Sequence, residues 1–236
     1  MQAAATIDAL RDGRYTLIQH PIIDCRTGKL MFEEILLRLH DTQGNEMPVF
    51  ESLMRLDRWQ LLSEISPYLL QIQLAFSRNM QVPATINLPP SALATDDMRS
   101  RVLDILMHHT QEAGATHNVT LEITETAYLE PNAAVQAFMH EVSGHGYQWA
   151  LDDFGDGYHT FGHITTLPLH MVKLAKEVSR LLLGSETPPP EVQEILRLAR
   201  TRNLILVAEH VSTAKQAKSL YNKHKIEFAQ VDRGQN

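Results

Sequence analysis

Ala150-Leu151-Asp152-Asp153-Phe154-Gly155-Asp156-Gly157 ends an apolar run that begins at Tyr147. A short apolar run bounded by turn residues reads as a buried strand. Two adjacent carboxylates stand at its exit, and Gly155 and Gly157 let the backbone turn there. Neighbouring residues on a strand point to opposite sides, so one carboxylate can face each of two adjacent cations. Close carboxylates resist joint ionisation, which makes the pair costly unless cations neutralise it. A lone Asp-Asp pair reads more readily as a turn-rich loop. What argues otherwise is that other strands of the chain end in the same way.

Strand-like and helix-like segments alternate on both sides of this stretch. The candidate strands are Tyr15 to Ile23, Lys29 to Leu37, Ala84 to Leu88, Val119 to Ile123, Tyr147 to Leu151, Met171 to Leu174, Leu204 to Ala208 and Glu227 to Gln230. The first two are joined by Asp24-Cys25-Arg26-Thr27-Gly28, a turn-rich link that makes them an antiparallel hairpin. Helical patterns separate the others, among them Met98 to Glu112, Asn132 to Val142, Val192 to Arg202 and Thr213 to Lys223. Pro131 suits the first turn of its helix, and Gly144 and Gly146 suit the exit. Strands alternating with helices imply a largely parallel sheet. Eight of them in a chain of 236 residues point to an α/β fold, a (β/α)8 TIM-like barrel with one antiparallel strand. An open doubly wound sheet is the alternative, and it lacks a glycine-rich nucleotide loop after any strand. Gly184 to Pro190 reads as an exposed connection ahead of a helix. No repeat or internal boundary is visible, so residues 1–236 are expected to form a single domain.

Composition narrows the function classes. Hydrophobic residues make up 44% and charged residues 21%, as in ordinary globular domains. No apolar stretch approaches the ~20 residues that span a bilayer, and Met1 to Leu10 has no signal-peptide pattern. Membrane insertion is therefore not expected. The single cysteine, Cys25, excludes an internal disulfide and a cysteine-based zinc site, and fits a reducing, cytoplasmic setting. A net charge of -7 without a basic run argues against a nucleic-acid polymer as partner. His108-His109 and the series His159, His163, His170 lack metal-ligand spacing, and most of the 12 histidines read as surface residues.

The chemistry gathers at the carboxyl ends of the strands, where barrel active sites form. Strand two carries Glu34, followed by Leu37 and Arg38. Strand three ends in Asn87. Strand four presents Glu122 and then Glu125. Strand five ends in Asp152 and Asp153, strand six offers Lys173, strand seven ends in Glu209 and strand eight in Gln230. Each interrupts or closes an apolar run, and a buried polar group needs a partner. Taken singly, each has a bland reading: Glu34 paired with Arg38, Asn87 as a turn residue before Pro89-Pro90, Lys173 as an exposed strand residue. Their joint occurrence at successive strand ends favours a shared site. Carboxylate and amide oxygens converging on one rim suit hard divalent cations such as Mg²⁺ or Mn²⁺. Two such ions would activate a water and steady the leaving oxygen of a phosphodiester. Lys173 could hold the water or a phosphate oxygen, and Arg38 could clamp a phosphate.

These stretches resemble the EAL domain family of bacterial cyclic di-GMP phosphodiesterases. Glu34-Ile35-Leu36-Leu37-Arg38 matches the name motif, and Ile86-Asn87-Leu88 the asparagine motif. Leu121-Glu122-Ile123-Thr124-Glu125 matches L-E-I-T-E, and Leu151 through Gly157 matches L-D-D-F-G-x-G. Leu167-Pro168 with Lys173-Leu174 resembles L-P…K-I-D, Ala208 through Thr213 resembles A-E-G-V-E-T, and Gln230 the Q-G motif. The resemblance runs in order from Tyr15 to Gln230. It implies a barrel with one antiparallel strand. It implies that Glu34, Asn87, Glu122, Asp152, Asp153 and Glu209 ligate two Mg²⁺ or Mn²⁺ ions, with Lys173 and Gln230 completing the site. Glu209, as general base or water-orienting group, and Lys173 would be catalytic. Arg38, Gln230, His20, Ile35 and Leu36 would bound the ligand. Glu125 would brace the loop Asp153 to Thr160, which in this family links dimerisation to metal binding, so a homodimer is implied.

Several positions depart from the family pattern. Ile35 replaces a small residue, His20 a glutamine that helps hold a guanine, Asp156 a threonine, Ala175 an aspartate and Val231 a glycine; His210 and Ser212 alter the segment after Glu209. The connection from His40 to Trp59 is short, and the last β/α unit is expected to be incomplete, since the sequence stops six residues after Gln230. The expected activity is metal-dependent hydrolysis of cyclic di-GMP to linear pGpG. The alternative is an inactive EAL-like receptor for cyclic di-GMP, or a regulator that binds a protein partner.

Overall fold

The computed structural model of the chain describes residues 2–58, 61–113 and 119–231. In order, the chain forms α1 (Gln2–Arg11), β1 (Tyr15–Asp24), β2 (Leu30–His40), β3 (Glu46–Met47), α2 (Val49–Arg58), α3 (Leu62–Ser77) and β4 (Ala84–Leu88). A 3₁₀ turn (Pro90–Leu93) leads into α4 (Asp96–Ala113), β5 (Val119–Ile123), α5 (Ala133–Gly144), β6 (Gln148–Phe154) and α6 (Phe161–Thr166). Then come β7 (Met171–Leu174), α7 (Lys176–Gly184), α8 (Pro190–Arg202), β8 (Ile205–Val211), α9 (Ala214–His224) and β9 (Phe228–Val231).

The sheet closes on itself. Its order is β1-β9-β8-β7-β6-β5-β4-β2, and β1 also pairs with β2. Only β1 runs against its two barrel neighbours; the other pairs within the barrel are parallel. The expected closed barrel with one antiparallel strand is what forms. β3 is an outlying hairpin strand on β2.

Parity organises the interior. Inward-facing residues recur every second position along a strand, and the barrel centre is filled by Ile22, Ala150, Met171, Val207 and Phe228, with Phe32 packed against them. Outward-facing residues such as Leu121, Ile123, Trp149, Leu151, Val172 and Ala208 meet the helices in a second, larger core. A smaller apolar cluster joins Ala9, Leu10, Leu39 and Leu69 between α1, β2 and α3.

Local chemistry sets the boundaries. Asn132 caps α5, its side chain accepting from the backbone N–H groups of Ala134 and Val135. Pro131 therefore precedes the cap instead of opening the first turn, because an amide oxygen can take the orphan N–H groups and a proline ring cannot. Thr213 and Gln216 form a reciprocal capping box at the start of α9. Three strands run three residues past their expected ends: β2 to His40, β6 to Phe154 and β8 to Val211. Asp152, Asp153 and Glu209 thus lie inside strands rather than at their exits. The strands continue because the ladder slips and resumes: β6 re-pairs at Phe154 with Leu174, and β8 at Val211 with Val231. The predicted short connection after His40 has its far end, Trp59, outside the described residues, as does the segment after Val231.

Candidate active site at the barrel mouth

Two residues beyond the filled layer, the same inward parity turns polar. The barrel strands contribute one residue each: His20 from β1, Glu34 from β2, Asn87 from β4, Glu122 from β5, Asp152 from β6, Lys173 from β7, Glu209 from β8 and Gln230 from β9. Lys173 lies at the centre. Its Nζ is 2.8 Å from Asp152 Oδ1, 2.8 Å from Glu209 Oε1, and 3.2 Å from Oε2 of both Glu34 and Glu122. The bland readings of Glu34 and Lys173 fail on this geometry: Lys173 is 1% exposed, and Arg38 pairs with Glu46 at 3.3 Å. Glu34 is held from three sides, by Asn87 Nδ2 on Oε1 (2.8 Å) and by Gln230 Nε2 (2.5 Å) and Lys173 on Oε2.

An ammonium has three N–H bonds, so it cannot satisfy four carboxylates. The imbalance shows in the proton affinities. Burial raises Glu122 and Glu209 well above the carboxylate range, with Lys173 opposing and neighbouring acids adding repulsion. Asp152 is pushed up to about 6, by burial first. Glu34 moves the other way: burial would raise it, but Lys173, Asn87 and Gln230 outweigh that and hold it low. Burial would also lower Lys173, and the surrounding acids drive it up instead.

The donor set fits divalent cations. Glu34, Glu122 and Asp152 offer oxygens within 4.8 Å of one another. Glu122 Oε1 is buried without a hydrogen bond of proper geometry, as is Thr85 Oγ1, which leans toward Glu122 from β4. A buried carboxylate oxygen left unmatched costs ~1–3 kcal/mol or more, and a hard cation is the partner such an oxygen lacks.

Two bulges shape the rim. Asp153 and His210 have φ of 49° and 54°, left-handed values that side chains adopt at a cost, and each sits where its ladder slips. The bulge in β6 brings Asp153 into hydrogen-bonding reach of Glu209. Gly155 follows at φ 108°, where a Cβ would lie 2.5 Å from Val178 Cγ2. No other residue fits that turn.

The loop beyond it is tied to β5. Glu125 Oε1 accepts the His159 backbone N–H at 2.8 Å. The His159 ring donates Nε2–H to Ile123 O (3.1 Å), and His163 donates to Leu129 O (2.7 Å). Burial pushes Glu125 up to about 7, with the His159 N–H opposing and Asp153 and Asp156 adding repulsion. Burial pushes His159 down to about 4. Four histidines, His109, His159, His163 and His224, are buried and hydrogen-bonded, while the other seven described histidines are exposed or half-buried, in line with the reading of most of them as surface residues. The partners of the buried four, the Tyr147 hydroxyl for His109 and backbone carbonyls for the other three, lie far away in sequence, so no spacing reveals them. Thr85 also escaped the sequence reading; its signal is its position two residues before Asn87.

A cavity of about 620 Å³ opens over this layer, within the range of small-molecule sites. Its acidic floor continues past Leu36 and Leu37 to Val49, Leu53, Leu69 and Ile72 on α2 and α3. His20 and Arg38 border it; Ile35 borders it too but is otherwise buried in the larger core. Among the described residues, no helix is long and apolar enough to cross a membrane.

A closed mixed barrel with an acidic, cation-suited mouth defines the class. The EAL domain family model matches residues 3–230, and the chain belongs to that family. It is similar to the cyclic di-GMP phosphodiesterase PdeA of Borreliella burgdorferi, 27% identical over 97% of this chain and 34% of that protein. The chain thus spans about a third of the length of such relatives. Among solved structures it resembles the PaMucR phosphodiesterase in complex with c-di-GMP (TM-score 0.78, 23% identity, 98% of this chain and 95% of that one). It also resembles the FimX EAL domain of Pseudomonas aeruginosa bound to c-di-GMP (TM-score 0.76, 19% identity, 100% and 95%).

Proposed function

We propose that this domain hydrolyses one phosphodiester bond of cyclic di-GMP to give linear pGpG, using two Mg²⁺ or Mn²⁺ ions. The observation that carries this reading is the gathering of four carboxylates on the single ammonium of Lys173, with Glu122 Oε1 left unmatched beneath the cavity. Bound cations would supply Lewis acidity toward the phosphate and make water nucleophilic at neutral pH. Glu34, Asn87, Glu122 and Asp152 would hold one ion, and Asp152, Asp153 and Glu209 would face the other. The amide nitrogen of Asn87 is engaged by Glu34, so the amide oxygen is the atom it would offer. Glu209, whose proton affinity is raised by burial, would accept the proton of the attacking water. Lys173 would hold that water or a phosphate oxygen. Gln230 would keep Glu34 in place; His20, Ile35 and Leu36 would bound the nucleotide, and Glu125 would brace the loop after Asp153.

The test is incubation of purified protein with cyclic di-GMP and Mn²⁺, with the products separated by chromatography. Metal-dependent appearance of pGpG is expected, and no linear product at any Mn²⁺ concentration defeats the reading. A second reading is a receptor without turnover. It is favoured by Arg38, the candidate phosphate clamp, whose guanidinium is held by Glu46 and by Leu37 O at 2.9 Å. Calorimetric titration of cyclic di-GMP with Ca²⁺ present, showing tight binding from a protein that gives no product with Mn²⁺, would select it.

A further inference from the structure

His20 is the contribution of β1, the one antiparallel barrel strand, to the polar layer. It sits directly across from Glu34 in the β1–β2 ladder, and two residues before Ile22, which pairs with Gln230 on β9. Its ring meets a described partner on each nitrogen. Nε2 lies 3.0 Å from Val231 O, and Nδ1 lies 2.9 Å from Gln230 Nε2.

The chemistry of the partners removes the ambiguity in these contacts. A carbonyl only accepts, so His20 Nε2 carries the proton. An amide nitrogen only donates, so Nδ1 is the acceptor. One neutral tautomer satisfies both contacts at once. The Gln230 amide then directs its N–H bonds at two acceptors, His20 Nδ1 and, at 2.5 Å, Glu34 Oε2. Turned over, that amide would set its oxygen against the imidazole nitrogen and the carboxylate together, and both contacts would become repulsive. The Val231 carbonyl therefore fixes the ring, the ring fixes the amide, and the amide fixes the carboxylate.

We propose that His20 is a positioning residue of the metal site: through Gln230 it sets the orientation of Glu34 and pre-organises it for a divalent cation. The step to metal affinity rests on the two-ion reading above; the relay itself does not. A side chain that orients a ligand through a hydrogen bond typically changes metal affinity 10–100-fold when removed. The relay also explains how this chain retains an ordered Glu34 with histidine at position 20. Glutamine can accept and donate through one amide in the same place; leucine can do neither.

The experiment is calorimetric titration of Mn²⁺ into wild type, His20→Leu, His20→Gln, Gln230→Leu and the His20→Leu/Gln230→Leu double variant, with folding of each checked by circular dichroism. His20→Leu is expected to weaken Mn²⁺ binding about tenfold, and His20→Gln to restore it to within about threefold of wild type. The double variant should bind no more weakly than Gln230→Leu alone, because the relay from His20 to Glu34 runs through that amide. Additive losses, or an unchanged affinity in His20→Leu, overturn the proposal. A second readout needs no metal: ¹⁵N spectra of the histidine rings should show His20 as the Nε2–H tautomer, and a predominant Nδ1–H tautomer overturns the relay. Should wild type bind no Mn²⁺, the two-ion reading and the role of His20 in it both fall, while the ¹⁵N spectra still decide whether the relay exists.

Discussion

Two kinds of strand build the mouth of this barrel. β5 and β7 are short and buried at every position, and they deliver Glu122 and Lys173 by parity alone. β6 and β8 are longer and bulged, and they deliver Asp152 with Asp153, and Glu209 with His210, at the points where their ladders slip. The difference is one of physical strategy. A regular strand can bury an ionisable side chain completely, at 0% exposure for Glu122 and 1% for Lys173, because the backbone around it is fully paired. A bulged strand opposes two residues to one on its neighbour, and so brings an extra side chain to the rim at the expense of local backbone strain. Lys173 and Glu122 are therefore fixed on regular strands, whereas Asp152 and Glu209, the carboxylates nearest Lys173 at 2.8 Å, and the additional Asp153 come from the bulged pair.

The largest effects should come from the regular strands. Lys173→Met removes the ammonium from three buried carboxylates and the half-buried Asp152, and breaking a buried pair from one side costs ~3–5 kcal/mol. Denaturant unfolding of the metal-free variant at pH 7 should show that loss, and Mn²⁺ should recover part of it. Undiminished stability would mean that the acids are neutral without help from Lys173. Glu122→Gln should separate function from stability. Burial already favours the neutral form of Glu122, so its amide isostere should shift metal-free stability by less than about 1 kcal/mol. Turnover should nonetheless fall about a thousandfold, because loss of a cation ligand removes several kcal/mol of transition-state stabilisation. Retained turnover would take Glu122 out of the site.

Much of this arrangement is legible in the sequence because a polar residue two steps beyond an apolar one, on strand after strand, has one place to go. Phe32-x-Glu34, Ala150-x-Asp152, Met171-x-Lys173, Val207-x-Glu209 and Phe228-x-Gln230 each follow that rule. The bulges are not legible, since a period of two assumes an unbroken ladder and neither Asp153 nor His210 announces a positive φ. Nor is the His20 relay. It depends on β1 lying between β2 and β9, a neighbourhood that only barrel closure creates. The buried His159 and His163 escape for the same reason, their acceptors being backbone carbonyls of Ile123 and Leu129.

A mid-sized effect should appear in pH dependence on the bulged side. Asp152 has its folded-state pKa raised from 3.8 to about 6, chiefly by burial. A carboxyl raised in this way stabilises the metal-free fold fully below 3.8, and that contribution is lost as pH climbs through about 6. Asp152→Asn should therefore gain on wild type between pH 4 and pH 7, by on the order of 2 kcal/mol, as read from urea midpoints. A constant difference across that range would mean that Asp152 does not titrate there. Mn²⁺ must displace these protons, so wild-type affinity should rise from pH 6 to pH 8, with proton release visible as buffer-dependent heats of binding.

The smallest effect isolates strain from chemistry. Asp153 and His210 share the same left-handed backbone conformation, but only Asp153 contributes a carboxylate that reaches Glu209. Glycine takes that conformation without steric cost, yet adds freedom to the unfolded chain, so relief of ~1–2 kcal/mol is partly offset. Asp153→Gly and His210→Gly should each raise Tm by no more than about 2–4 °C, measured by calorimetry without metal. Turnover should fall in Asp153→Gly alone. Equal losses in both variants would mean that the bulge geometry, and not the Asp153 carboxylate, is what the rim requires, and the division between rigid and strained strands would then describe backbone shape without chemistry.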